Sequence, residues 1–170
     1  MCASAVPRNS PAGNGQVFQA QPGLLELALE RARPFISEES ETLVDDLRRE
    51  RLWHYPPLAV REALLNAFAH RDWTRPGEVE VVRYGDRLTV TSPGALQNAM
   101  TVAKMLAGQR SARNPIIVEV LRDYGYVEHR GMGVRRRIVP LTRAFSGRDA
   151  QFEAAEDFLR LTLPARVGTG

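Results

Sequence analysis

The segment that most restricts how this 170-residue chain can fold runs from Leu58 to His70. Pro56 and Pro57 pre-set a helix start there. Proline already holds the φ of a first helical turn, and the amide hydrogen it lacks would have no intrahelical partner. At about 100° per residue, Glu62, Asn66 and His70 fall in one narrow arc. Ala59, Ala63 and Ala69 lie between and beside them, while Val60, Leu64, Leu65, Ala67 and Phe68 occupy the remaining circumference. One face of such a helix can pack on a sheet. The other presents three polar groups separated by small residues, which leaves room for a ligand. Taken alone, the same stripe also fits a plain amphipathic helix with a solvated face.

The elements around it are compatible with a covering sheet. Residues 24–32 are helical in pattern, and Pro34 is expected to stop them. Residues 38–53 are open between two short strands, at 42–44 and 51–53 around Asp45 and Asp46, and a helix. Residues 74–77 form a loop, 78–84 and 87–91 are strands joined at Gly85 and Asp86, and Ser92, Pro93 and Gly94 break the second. Residues 101–107 form a short helix. Asn114 can cap and Pro115 can open a helix running to about Tyr124, with Gly125 as its left-handed C′ residue. Gly131, Met132 and Gly133 precede a helix from about Val134 towards Phe145 that Pro140 kinks or breaks, and 158–163 alternate as a last strand. The expected fold is an α/β (α+β) two-layer sandwich: a mixed, mainly antiparallel sheet with helices on one face. Residues 1–22, rich in Pro, Gly, Ser and Asn, are expected to be a flexible tail or linker, 23–165 the domain, and 166–170 a second tail.

Composition removes several classes of function. A hydrophobic share of 44% with 25% charged residues is that of a water-soluble globular chain. No run of some eighteen apolar residues exists, so no membrane span is expected. The N-terminus lacks the basic start and apolar core of a signal peptide. Cys2 is the only cysteine, which excludes an internal disulfide and a thiolate metal cluster and suits a reducing cytoplasm. Lys104 is the only lysine, and the other cations are arginines, whose forks suit phosphates. The net charge of +3 is mildly basic, and with acidic residues interleaved almost everywhere the arginine skew is read as composition. Direct DNA binding by the basic surface is a third reading, which the lack of a helix-turn-helix or AlbA-type segment argues against. Arg135, Arg136 and Arg137 would point in different directions from a helix and are read as a solvated face. His54 and His129 sit in no metal-ligand spacing and are read as surface or turn residues. Signatures of a hydrolase elbow, a zincin and a P-loop are absent from the sequence.

The polar arc itself suggests chemistry. A carboxylate can orient and deprotonate a water attacking a γ-phosphate, and an amide oxygen is a hard ligand suited to Mg²⁺. Glu62 and Asn66, one turn apart, could hold such a water and such an ion side by side.

The segment from Glu62 to Trp73, read with Tyr55-Pro56 before it, residues 86–94, Arg113-Asn114-Pro115 and residues 128–138, carries a resemblance as an ordered set. Over about residues 24 to 164 the chain resembles the GHKL (Bergerat-fold) ATPase domain of the RecG C-terminal-like branch. That branch occurs in ATP-dependent helicase-related proteins and in transcriptional regulators with a Schlafen/AlbA-type DNA-binding domain. Each motif is weak alone, and their order at compatible spacing is specific. The resemblance implies an ATP site with Glu62 as general base and Asn66 as Mg²⁺ ligand. It implies that His70 and Arg71 lie near the phosphates or brace a lid, that Gly94 lets the backbone approach adenine, and that Gly131 and Gly133 form a phosphate turn before a helix N-terminus. Ser92 stands where most relatives in the wider family hold the adenine amino group with aspartate; a hydroxyl binds the base weakly or through water. Arg110 and Arg113 would clamp phosphates from a mobile lid, or be solvent-exposed loop arginines.

The expected partners are ATP with Mg²⁺, a second copy in a homodimer, and DNA through another domain of a longer protein. The function expected is slow ATP hydrolysis as a conformational switch. The alternative is a catalytically inactive domain of the same shape that serves in dimerisation or partner binding.

Overall fold

The computed structural model describes residues 23–44, 48–127 and 132–166. The tails expected at 1–22 and 167–170, together with His129 and Gly131, lie outside the described residues. Arg166, expected to begin the second tail, donates its amide to the His54 carbonyl at 3.0 Å.

Helix α1 (Leu24–Ile36) opens the fold and leads into a hairpin of β1 (Ser37–Val44) and β2 (Arg48–Trp53). The hairpin is antiparallel, with its register broken between Glu39 and Leu43. So the strand reading of 38–53 is the correct one. Helix α1 also runs through Pro34, which does not stop it. Proline forgoes the bond to the carbonyl of Glu30, an exposed residue, while Ile36 is 4% exposed in the core and holds the last turn down.

Helix α2 (Pro57–His70) follows, then β3 (Glu80–Arg83), β4 (Arg87–Pro93), α3 (Val102–Leu106) and α4 (Pro115–Asp123). A π-helical turn at Val134–Ile138 leads directly into α5 (Val139–Ser146), and β5 (Gln151–Ala154) and β6 (Phe158–Pro164) close the chain. Four strands form one antiparallel sheet in the order β3-β4-β6-β5. Every strand pairing among the described residues is antiparallel. Strand β4 does not break at Ser92 and Pro93, as the sequence suggested, but includes both. Pro93 lies beyond the last β3 pair, Glu80 with Thr91, so β4 has a strand on only one side there and tolerates a residue without an amide hydrogen. Strand β5 was not expected; four residues with two glutamate or glutamine side chains give too short an alternation to read.

The core joins the two layers. Leu88 and Val90 of β4 pair with Leu163 and Leu161 of β6, and these four meet Val60, Ala63, Leu64 and Ala67 of α2 and Ile138. Leu64, Leu88 and Leu163 are at most 2% exposed, and each such side chain contributes about 1.5–3 kcal/mol by leaving water. The fold is thus a two-layer α/β sandwich in which α2 lies across the inner face of the sheet. His54, read as a surface or turn residue, is instead 4% exposed, with its Nε2 3.6 Å from Glu38 Oε2.

Helix α4 ends as the sequence indicated. Gly125 has φ +73°, its amide donates to Arg122 O, and the Tyr126 amide donates to Leu121 O at 2.8 Å. This is the pair of bonds that satisfies the last carbonyls of a helix ending on a left-handed residue.

Candidate functional site

A cavity of about 290 Å³ lies beside α2, on the inner face of the sheet. That is near the lower end of the range for small-molecule pockets. Its floor is Val90 and Ser92 of β4 with Leu159 and Leu161 of β6, residues that share one face because strand side chains alternate. One wall is the polar arc of α2, Glu62, Asn66 and His70. Gly133, Val134 and Ile138 line the cavity next to Glu62. The loop 108–113 and helix α4, through Val118 and Arg122, cover it.

The arc is built from within one helix. Asn66 Nδ2 donates to the Glu62 carbonyl at 2.7 Å and to Glu62 Oε1 at 2.9 Å. Both acceptors are oxygens, so the amide nitrogen must face them, which leaves the amide oxygen as the end not engaged by Glu62. The Glu62 carboxylate is nearly buried, and its Oε2 is 4.0 Å from an Arg137 nitrogen. A Cβ at position 133 would overlap that carboxylate, so only glycine lets the turn approach this closely. His70 is held below its ordinary pKa by burial first and by the Arg113 charge second, so the neutral imidazole is favoured.

At the other end, Ser92 Oγ donates to the Ala67 carbonyl at 2.9 Å. Gly94 has φ +110°, and a Cβ on it would sit 2.6 Å from Asp72 Cβ. Its glycine is therefore required by backbone conformation and by Asp72, whatever approaches from the cavity.

The structure gathers Glu62, Asn66, His70, Ser92, Gly94, Arg110, Arg113 and Gly133 around this single cavity. Arg71 is directed elsewhere. Its guanidinium donates to the Arg75 and Gly77 carbonyls and lies over the Trp73 ring at 4.5 Å. Arg113 is at the cavity but already engaged: it pairs with Asp72 Oδ2 at 3.0 Å and donates to the Ala95 carbonyl. Asp72 is held below its ordinary pKa, first by the Thr74 hydroxyl and then by Arg113 and Arg75.

Asn114 does not cap α4 with its side chain. Its amide instead donates to the carbonyls of Ala69 and Arg71 at 2.9 and 2.8 Å, closing the C-terminus of α2. At the far end of α4, Arg61 donates to the Tyr126 carbonyl at 3.2 Å. Helix α4 buries none of its own residues. It is thus attached to α2 by side-chain bonds beyond each of its ends, spanning the cavity between them.

Sequence reading missed three participants. Asp72 lies within the quoted motif, but its partner is 41 positions away. Arg137 was read only as part of a solvated run, and Arg122 only lay within the helix expected to run to about Tyr124. No local signal marks any of them.

Residues 77–163, from the loop before β3 into β6, match the family described as "Putative ATP-dependent DNA helicase recG C-terminal". The chain belongs to this family. Its helix α2 lies upstream of the matched residues, so the place of Glu62, Asn66 and His70 in the site rests on the geometry above. Among solved structures, the chain is similar to the DIP2311 protein from Corynebacterium diphtheriae, with a TM-score of 0.60 and 36% identity over 67% of this chain. It spans 24% of that relative's length. No curated protein matches the chain. Among the described residues no helix is long and apolar enough to cross a membrane.

Proposed function

We propose that residues 23–165 form an ATP-binding domain that hydrolyses its nucleotide slowly in the presence of Mg²⁺. The observation that carries this reading is the Glu62–Asn66 pair, fixed one helical turn apart at the cavity, with Gly133 packed against the Glu62 carboxylate. Membership of the family supports it.

The donor set suits a cation that arrives with phosphates. Among the described residues no group of three or more His, Cys, Asp or Glu side chains could hold a metal ion. Mg²⁺ commonly keeps several waters and takes only one or two protein ligands beside phosphate oxygens, so the Asn66 amide oxygen is a sufficient contribution. Bound there, Mg²⁺ would neutralise charge on the phosphate oxygens. Glu62 would orient a water and accept its proton at Oε2, the carboxylate oxygen not bonded to Asn66. His70, kept neutral, would add a hydrogen-bonding group without adding positive charge. Ser92 would meet the base.

The chain covers about a quarter of its structural relative, so the domain would act as a conformational switch inside a larger, cytoplasmic, DNA-associated protein whose DNA contacts lie in another domain. Of the three successive arginines, Arg135 lines the cavity and Arg137 faces Glu62, so they do not present one shared face to DNA.

The deciding experiment is calorimetric binding of a non-hydrolysable ATP analogue with Mg²⁺ to the wild type and to Asn66→Ala. Wild-type binding weakened in the variant is expected; no wild-type binding up to millimolar ligand would overturn the reading. Glu62→Ala should abolish hydrolysis while leaving ATP affinity within about tenfold, because a base acts on the water rather than on ground-state binding.

A further inference from the structure

Helix α4 brings one cation to the cavity, Arg122, whose side chain has no hydrogen bond or ion pair to the described residues. The Arg122 Nε is buried without a hydrogen-bond partner, and the residue lines the cavity. It has no ion pair among the described residues, in contrast to Arg113 on Asp72 and Arg137 near Glu62. An orphaned, buried donor of this kind destabilises the protein that carries it unless a partner arrives. The surroundings define that partner. Among the described residues, Arg110, Arg113, Arg122 and Arg135 line the cavity against one acidic residue, Glu62, and His70 favours its neutral form. The cavity therefore presents an excess of guanidinium to whatever enters it. Guanidinium forks bind phosphate oxygens with paired, charge-assisted bonds. Arg122 precedes the Gly125 turn and the Tyr126 carbonyl held by Arg61, the residue next to Glu62. It therefore stands towards the Glu62 and Gly133 end of the cavity, opposite the Ser92 end.

We propose that Arg122 contacts the phosphate chain of the bound nucleotide and thereby fastens helix α4 over the occupied cavity. This rests on the nucleotide reading above and assigns α4 a part in it. The helix is held to α2 by side-chain bonds beyond its two ends, and none of its residues is fully buried, so a contact from Arg122 to the ligand would restrain it between those attachments.

The test compares Mg²⁺ with adenylyl imidodiphosphate, ADP and AMP as probes, titrated calorimetrically into wild type, Arg122→Gln and Arg122→Lys. Arg122→Gln should weaken the triphosphate analogue by about tenfold or more, as loss of a charge-assisted bond does, and leave AMP within about twofold. Arg122→Lys should recover part of the loss, which also separates a charge effect from a folding defect. Amide exchange over residues 115–123 should slow on binding in the wild type and not in Arg122→Gln. Equal weakening of AMP and the triphosphate analogue, or an unchanged triphosphate affinity in Arg122→Gln, would overturn this inference while leaving the nucleotide reading standing. Absence of any binding to the wild type would overturn the nucleotide reading, and this inference with it.

Discussion

The carboxylate of Glu62 occupies the space that a Cβ on residue 133 would fill. A helix of the first half of the chain and a turn of the second half are thereby brought into contact at one carboxylate. Gly133→Ala forces that carboxylate out of its place beside Asn66. The atoms displaced are the far end of a side chain, so the stability loss should stay near the usual overpacking cost of about 1–3 kcal/mol. Turnover should fall by about two orders of magnitude or more, the usual contribution of a positioned base. Thermal unfolding and ATP hydrolysis measured on the same preparation check this; a variant that hydrolyses ATP normally would contradict the role given to Glu62.

Asn114 offers a second check, because its place ahead of Pro115 suggests a helix cap and its bonds say otherwise. Asn114→Ala should cost about 1–3 kcal/mol in urea unfolding by orphaning two acceptors. Aspartate is as good an N-cap as asparagine, yet here it would set a carboxylate against carbonyl oxygens at the negative end of α2. Asn114→Asp should therefore destabilise at least as much as alanine. A harmless aspartate would restore the cap interpretation.

His70 gives the protein a pH dependence of known sign. Its folded-state pKa lies below the ordinary 6.5, from burial and then Arg113. Below pH 6.5 the unfolded chain takes up a proton that the folded chain does not, so stability falls as pH drops from 6.5 towards the folded-state pKa. The urea midpoint of the wild type should decrease more between pH 7.5 and 5.5 than that of His70→Gln. Parallel curves would show that this imidazole is not the group responsible.

Ser92 predicts which base enters. Its hydroxyl hydrogen is committed to the Ala67 carbonyl, so its oxygen can only accept. An exocyclic amino group finds a partner there, whereas a carbonyl meets lone pairs against lone pairs. ATP should compete about tenfold better than GTP for the site, corresponding to roughly one net hydrogen bond. Ser92→Ala should erase the preference. Stronger GTP binding in the wild type would refute it.

The sandwich and the polar arc that reaches the cavity were legible because their signals are local. Glu62, Asn66 and His70 share an arc by helical periodicity alone, and residues 87–91 of β4 and 158–163 of β6 alternate in sequence. What stayed hidden depends on distant partners. Nothing near Asp72 announces Arg113, and nothing in α4 distinguishes Arg122 from any other polar residue of an amphipathic helix. The proline errors have one cause. Pro34 and Pro93 were read as breakers from their local chemistry, but each sits where the hydrogen bond it forgoes lies at an exposed residue or an unpaired strand edge. Gly94 was read through the ligand it would admit, whereas its conformation and Asp72 already demand glycine.

The two hydrogen bonds from the Asn66 amide to Glu62 hold together the two groups to which the water and the ion are assigned. Their separation is written into one turn of α2, while everything that would close over them, from loop 108–113 to Arg122, belongs to other elements. On the proposed function, opening and closing of the cover would change whether a nucleotide is held without altering the spacing on which its hydrolysis would depend. Gating and chemistry would then be mechanically insulated from each other, and variants of the cover should alter occupancy while leaving the rate per bound nucleotide nearly constant.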